Sequence, residues 1–223
     1  MYTLYDGLQT GGVSVKAALE EAGIEYQRLT VDLQKKEHLS EKYTRINPRQ
    51  QVPSLMLDDG SIITESVAIM IHIADCHPNA NLLAPTFTAE RAQAMRWLLF
   101  FDANVYEGEN RKVHPEWYVS APECAGSVYD AAIEHVNWHY LLFENVLGNG
   151  PYLFGDRLDL VDIYVWMLVQ WQGDLDWLET NCPKVVNMVR AVMSRPKIEP
   201  IHLETFGVGI GLTPEQKIYS VTL

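Results

Sequence analysis

Hydrophobic and polar positions follow two different rhythms along the chain, and the change falls near Pro85. Before Pro85, short apolar or alternating runs predict strands, because a strand turns every second side chain to the same face. Between these runs, apolar residues at helical spacing predict amphipathic helices. The predicted strands are 2–5, 26–32, 54–57 and 61–63, and the predicted helices are 13–22, 39–46 and 67–76.

After Pro85 the pattern is helical almost throughout. Two helices are expected to end at breakers, one at the Gly-Asn-Gly-Pro run of 148–151 and one before Pro196. From Thr205 onward no period is clear, so we expect a tail that is loose or draped over the surface. The predicted helices are 88–105, 127–147, 160–172 and 185–194.

This order of elements predicts an α/β N-terminal domain, a βαβ unit followed by ββα, and an all-helical C-terminal domain. We place the first domain at 1–78, a linker at 79–87, the helical domain at 88–204 and a tail at 205–223.

Composition and charge narrow the class of protein. Of the 223 residues, 48% are hydrophobic and 21% are charged, which is typical of a globular rather than a disordered chain. The net charge of −12 argues against nucleic acids and anionic membranes as partners. No apolar run reaches the ~18 residues of a membrane span. No signal peptide is visible either, so we expect a cytoplasmic protein.

Cysteine and histidine predict no metal site. Cys76, Cys124 and Cys182 are widely spaced, which predicts free thiols in a reducing compartment. His135 and His139 have a spacing that suits a metal ion on a helix, but no third ligand is spaced nearby. We therefore interpret them as a solvated or packed pair.

Four segments carry motifs that belong together. They are NPRQQVPSL at 47–55, IITESVAI at 62–69, a linker-like stretch at 75–85 and GDRLDLVDI at 155–163. In this order they resemble the glutathione S-transferase superfamily, nearest to its bacterial beta-class and disulfide-bond reductase-like members. The resemblance implies a thioredoxin-like N-terminal domain with a cis Val52–Pro53 bond, glutathione as co-substrate, and a homodimer.

The same resemblance implies how glutathione is held. The Val52 backbone would pair with the cysteine of glutathione, and Lys36 or Gln51 would meet its glycyl carboxylate. A helix N-terminus at Ser66 suits the γ-glutamyl carboxylate, because its N–H groups are unpaired. The alternatives are that Thr64, Glu65 and Ser66 merely cap the helix and that the lysines at 35 and 36 are solvated. The implied glutathione-binding residues are Gly11, Lys36, Gln51, Val52, Pro53, Glu65 and Ser66.

The group that addresses the glutathione sulfur is expected in the loop after the first strand. Beta-class members carry a cysteine there, whereas this chain has Gly11 at that place and no cysteine before Cys76. Covalent mixed-disulfide chemistry is therefore not expected. The catalytic candidates are the hydroxyls of Thr10, then Ser14, then Tyr5, and the alternative is an inert, vestigial loop.

The second domain is expected to supply the pocket for the other substrate. By resemblance its residues are Tyr106, Asn110 and Arg111. Tyr106 stands where beta-class members have histidine.

At the start of the helix 160–172, Asp159 and Asp162 are expected to cap the helix, with Arg157 neutralising them. We interpret this helix cap as structural, important for folding rather than for catalysis.

Two functions remain open. In the first, the glutathione thiolate attacks a small hydrophobic or disulfide electrophile, by conjugation, thiolytic cleavage or disulfide reduction. In the second, the chain is a non-catalytic binding or regulatory module that has lost the sulfur site. A two-fold dimer would bring Arg91 and Arg96 near acidic residues of the partner.

Overall fold

The computed structural model describes residues 1–211, and the predicted tail beyond them lies outside the described residues. Its N-terminal part is a four-stranded sheet with strand order β2-β1-β3-β4. β1 pairs with β2 in parallel and with β3 antiparallel, and β3 forms an antiparallel hairpin with β4. The strands are β1 Tyr2–Asp6, β2 Tyr26–Thr30, β3 Ser54–Met56 and β4 Ile62–Thr64. The helices of this part are α1 Gly12–Ala22, α2 Glu41–Thr44 and α3 Ser66–Cys76.

The C-terminal part is helical, which confirms the predicted fold class. Its helices are α4 Ala89–Phe100, α5 Glu107–Val113, α6 Ala125–Glu144, α7 Leu160–Gln172, α8 Leu175–Asn181, α9 Pro183–Met193 and α10 Glu199–Phe206. The bounds of α7 are those predicted from the apolar run at 160–172.

The predicted helix 88–105 was too short. α4 leads into a π-helical stretch, Phe101–Tyr106, which we call the π segment, and then into α5 without a break. No glycine or proline stops the chain at 105, and the polar residues of 107–112 continue the helix although the apolar spacing has ended. π-helical turns inside α-helices are often found at functional sites.

The predicted tail also begins too early, because Thr205 lies inside α10. Pro200 occupies the first turn of this helix, where its missing N–H costs nothing, so the prolines after α9 precede a new helix. Ile201 and Phe206 are buried, and Glu204 binds both Lys16 and Arg28 of the first domain. α10 therefore ties the end of the helical domain to the sheet domain.

α7 is the element on which both domains rest. Its residues from Leu160 to Val169 are at most 1% exposed, and the helix packs against α1, α3, α4 and α9. An all-round apolar helix of this kind is stable only when it is enclosed. Because α1 and α3 belong to the first domain, α7 fixes the position of that domain relative to α4.

The first turn of α7 is closed by its own side chains, as predicted. Asp159 accepts a hydrogen bond from the Val161 N–H at 3.2 Å, and Asp162 accepts bonds from the backbone N–H groups of Asp159 and Leu153 at 2.8 and 2.9 Å. Arg157 lies 3.0 Å from Asp159 and neutralises it. Burial raises the pKa of Asp162 to about 7, and these backbone hydrogen bonds oppose the rise.

Candidate functional site

The loop before β3 has the conformation that the resemblance implied. The Val52–Pro53 peptide bond is cis. The carbonyl of the preceding Gln51 accepts hydrogen bonds from the Tyr43 hydroxyl and the Asn47 side-chain amide, both at 2.7 Å. Within residues 1–211, neither backbone polar group of Val52 has a hydrogen-bond partner. The loop is thus anchored on one side and leaves the Val52 backbone open to pair with an extended peptide.

The N-terminus of α3 is left without a side-chain cap. Glu65, at the N-cap position, has a left-handed φ of 67° and makes no capping bond. Its exposed carboxylate instead meets Arg49 at 2.9 Å. The alternative that this motif merely caps its own helix is therefore wrong for Glu65. The first N–H groups of α3 and the positive end of its dipole are suited to a carboxylate.

The loop hydroxyls that were predicted to face the sulfur form hydrogen bonds to the backbone of the loop instead. Thr10 Oγ1 donates to the Gly7 carbonyl at 2.9 Å and accepts from the Gly12 N–H at 3.2 Å. Ser14 is fully buried and its hydroxyl donates to the Gly11 carbonyl at 2.8 Å. Both protons are already bound by backbone oxygens. Tyr5 lies on β1 with its ring edge-on to that of Tyr43.

Gly11 lies where the two domains meet. A Cβ built on Gly11 would lie 3.2 Å from the Ser66 hydroxyl and 3.2 Å from the Tyr106 hydroxyl. We call Gly11, Ser66 and Tyr106 the hydroxyl junction. Two hydroxyls therefore converge on the place where the resemblance sets a cysteine side chain in beta-class members.

The Tyr106 hydroxyl is a neutral phenol at physiological pH. Burial, together with the charges of Asp102 and Glu65, raises the pKa of Tyr106 to about 12, and a backbone hydrogen bond from Gly11 acts in the opposite direction. A phenol with this pKa keeps its proton and acts as a hydrogen-bond donor, not as a base.

A buried tyrosine links the junction to the π segment. Tyr164 on α7 donates its hydroxyl proton to Asp102 Oδ1 at 2.7 Å, and its ring lies parallel to that of Tyr106. Tyr164 is fully buried. Its hydrogen bond to Asp102 was not predicted from the sequence. The available signal was a hydroxyl inside an apolar helix, because a buried hydroxyl needs a partner.

Of the three residues predicted to line the second pocket, the structure brings only Tyr106 to the junction. Arg111 lines a different cavity of about 480 Å³ between α5 and α6, together with Cys124 and His135. The Asn110 side chain faces Glu107 at 3.5 Å. Arg111 follows Tyr106 by five residues, and in an α-helix this spacing rotates its side chain by roughly 140° about the helix axis. The two side chains therefore point to different sides of the helix.

Lys36 and Gln51 have exposed side chains in the first domain. Within the described range, no acidic group pairs with Lys36, whereas Lys35 is bound to Asp32 at 2.9 Å. This difference supports Lys36 over Lys35 as the group for the glycyl carboxylate, since a charge-assisted contact needs a free cation.

Other predicted features have simple places in the fold. Arg91 binds Asp75 of its own chain at 2.9 Å, and Arg96 stacks on the Trp97 ring at 3.7 Å. The His139 ring is 2.6 Å from the His135 carbonyl. Over residues 1–211 there is no group of three metal-binding side chains. In the same range, no helix has the length and apolar character needed to cross a bilayer.

Family models match both parts of the chain. Residues 1–75 match the glutathione S-transferase N-terminal domain, and residues 128–200 match a glutathione S-transferase C-terminal domain. The GST-like protein YncG of Escherichia coli K12 is 32% identical over 157 residues, which is 70% of this chain and 74% of that protein. Glutathione S-transferase GstA of Escherichia coli O157:H7 is 26% identical over 182 residues, 81% of this chain and 87% of that protein.

Solved structures agree over nearly the whole length. A glutathione transferase homologue from Sulfitobacter, crystallised with bound glutathione, superposes with a TM-score of 0.80 at 25% identity, covering 92% of this chain and 98% of that one. A glutathione transferase from Methylococcus capsulatus gives 0.73 at 25% identity, with the same shares covered. The fold, the cis bond, the open helix end and these matches agree, and the chain belongs to the glutathione S-transferase family.

Proposed function

We propose that this protein is a glutathione transferase that lowers the pKa of the glutathione thiol and directs the thiolate to a small electrophile. The observation that carries this is the geometry at Gly11. An uncapped helix N-terminus lies beside it, and the hydroxyls of Ser66 and Tyr106 each come within 3.2 Å of where its Cβ would be. Glutathione has two carboxylates and one thiol. A site for it therefore needs a group that binds a carboxylate, such as a helix N-terminus, beside hydroxyls that can contact the sulfur.

Each part of glutathione has a proposed partner. The Val52 backbone pairs with the cysteine residue, next to Pro53, as one strand pairs with another. Ser66 and the N–H groups of α3 hold the γ-glutamyl carboxylate, and Glu65 faces the α-amino group. Lys36 and Gln51 meet the glycyl carboxylate. In a chain with a net charge of −12, the positive charge of Lys36 and the positive end of α3 offset the overall repulsion of an anion.

The proposed reaction begins when the thiol S–H bond breaks and the proton passes to water. The site then stabilises the sulfur anion by hydrogen bonds, which favours the charged form and lowers the thiol pKa. The sulfur electron pair next forms a bond to the electrophile, and a bond of the electrophile breaks so that its electron pair leaves with the halide, the cleaved fragment or the outgoing thiolate. Conjugation, thiolytic cleavage and reduction of a disulfide all share this first step.

The alternative proposal is a non-catalytic binding module. It is favoured by the absence of a cysteine in the loop and by the hydroxyls of Thr10 and Ser14, which are already hydrogen-bonded to the backbone.

We also infer a cytoplasmic homodimer from the family. Because Arg91 already binds Asp75, Arg96 is the better candidate for a contact across the dimer. A light-scattering mass equal to a single chain would contradict the dimer.

The ultraviolet absorbance of the thiolate, titrated with pH on the protein–glutathione complex, tests the proposal. We expect the bound thiol to ionise clearly below the pKa of about 8.5 of a free thiol. An activated aryl halide should be consumed with the same pH dependence. Binding without a lowered pKa would favour the module. No retention on immobilised glutathione, together with no thermal shift, would contradict the transferase proposal and leave the non-catalytic module.

A further inference from the structure

The hydroxyl that stabilises the sulfur need not come from the loop that carries it elsewhere in the family. In this chain the protons of Thr10 and Ser14 are bound by the carbonyls of Gly7 and Gly11. A hydroxyl that has already donated its proton cannot donate it to a thiolate without breaking that bond. The loop therefore offers backbone groups to the sulfur but has no free side-chain proton at Thr10 or Ser14.

Tyr106 of the π segment is placed differently. Its oxygen is 3.2 Å from the Cβ position of Gly11, and the Gly11 backbone hydrogen bond engages it as an acceptor. Among the described residues, this hydroxyl has no side-chain hydrogen bond, so none of them accepts its proton. The phenol thus keeps one donor free at the junction.

The Tyr106 ring is held on two sides. It lies parallel to the Tyr164 ring, at 6.4 Å between centroids, and edge-on to Trp171 at 5.3 Å. Tyr164 is itself fixed by its hydrogen bond to Asp102, which belongs to the same π segment as Tyr106. The two ends of the segment are therefore tied to one buried ring of α7.

We propose that Tyr106 donates the hydrogen bond that stabilises the glutathione thiolate, and that Asp102 and Tyr164 are positioning residues that hold its ring. The inference rests on the proposed function and assigns the sulfur contact to the helical domain. Tyr106 keeps its proton throughout. The thiol proton goes to water, and the electron pair of sulfur accepts the phenol hydrogen bond until it attacks the electrophile.

Tyr106→Phe is the direct test, because it removes the hydroxyl and keeps the ring between Tyr164 and Trp171. A hydrogen bond to a charged group is strong enough that its loss should raise the midpoint of thiolate titration by about one to two pH units. At a pH chosen below both measured midpoints, the rate with an aryl halide should fall about 10- to 100-fold, in proportion to the thiolate fraction. Tyr129→Phe is the matched control, since Tyr129 is an exposed tyrosine of α6.

Three other variants complete the design. Thr10→Val and Tyr5→Phe test the hydroxyls first predicted from the sequence. Tyr164→Phe tests positioning: it should shift the midpoint less than Tyr106→Phe does, and should add nothing in the Tyr106→Phe background, because a positioning residue acts through the group it holds. Glutathione affinity and melting temperature, measured on every variant, separate loss of folding from loss of the contact.

The outcomes are distinct. A raised midpoint in Tyr106→Phe with glutathione still bound supports the inference. An unchanged midpoint in folded, glutathione-bound Tyr106→Phe overturns it, and a shift in Thr10→Val or Tyr5→Phe would then assign the sulfur to the first domain. If the wild-type protein itself fails to lower the thiol pKa, the proposed function fails, and the inference fails with it.

Discussion

Two helix N-termini in this molecule face the same physical problem and resolve it in opposite ways. Every α-helix begins with N–H groups that have no partner within the helix. At α7 the side chains of Asp159 and Asp162 bind such groups inside the core. At α3 the N-cap residue Glu65 makes no capping bond, and its carboxylate lies at the surface beside Arg49.

The difference separates a structural helix start from one suited to a ligand. The carboxylates of α7 come from the chain, are buried, and hold α7 against Leu153. At α3 we propose that the carboxylate comes from glutathione. Removing a side chain at α7 should therefore reduce stability, whereas removing one at α3 should reduce binding.

The largest expected effect is on stability at α7. Asp162→Ala leaves two buried backbone N–H groups without acceptors, so we expect the free energy of unfolding to fall by about 2–4 kcal/mol. Chemical denaturation measures this loss. Asp156→Ala, at an exposed position in the same segment, is the matched control and should change stability by less than about 0.5 kcal/mol. Equal losses in both variants would show that the cap at α7 is not what matters.

The next effect is on binding at α3. Ser66→Ala removes a hydroxyl beside the proposed γ-glutamyl carboxylate, and we expect glutathione affinity to fall about 10-fold, the value of a hydrogen bond to a charged group. Its unfolding free energy should change by no more than about 1 kcal/mol. Isothermal titration calorimetry gives the first and denaturation the second. Ser120→Ala, at an exposed position, is the control. If Ser66→Ala lowers the free energy of unfolding by more than it lowers the free energy of glutathione binding, the contrast with α7 does not hold.

The smallest effect is a pH dependence confined to α7. Burial raises the pKa of Asp162 from 3.8 to about 7, so the folded protein holds a proton that the unfolded chain has released between these values. The contribution of Asp162 to stability is therefore present at pH 4 and declines as the pH rises through 7.

Asp162→Asn tests this dependence, because an amide does not titrate. From pH 4 to pH 7, the stability of the wild type relative to the variant should fall by at least about 1 kcal/mol, the value of one unit of pKa difference. Parallel stability curves over this range would show that the aspartate is ionised in the folded state already at pH 4.

Much of the fold follows from local pattern. Helix α7 is predicted at its observed bounds because its first eleven residues are buried and, apart from Asp162 and Gln170, all of them are hydrophobic. Gly23 ends α1 in a left-handed conformation, as expected of a glycine in that place. By contrast, α10 was not predicted. Prolines such as Pro196 and Pro200 indicate the end of a helix, but Pro200 lies in the first turn of a new one.

The site was predicted in part. The cis bond at Val52–Pro53 is confirmed, and the open end of α3 agrees with the motif at Glu65 and Ser66. The roles of these residues in binding stay predictions. The loop hydroxyls were chosen by position alone, and position does not reveal that the Thr10 proton is bound by the Gly7 carbonyl.

Motifs and apolar periods are local properties, so the order of elements, the family and the segments proposed to hold glutathione could be inferred from the sequence. Which hydroxyls meet depends on the tertiary structure. Tyr106 and Gly11 are far apart in the chain, and α7 brings them together by packing against both domains. Which proton remains free at such a junction depends on hydrogen bonds that form between distant residues, and no local pattern records them.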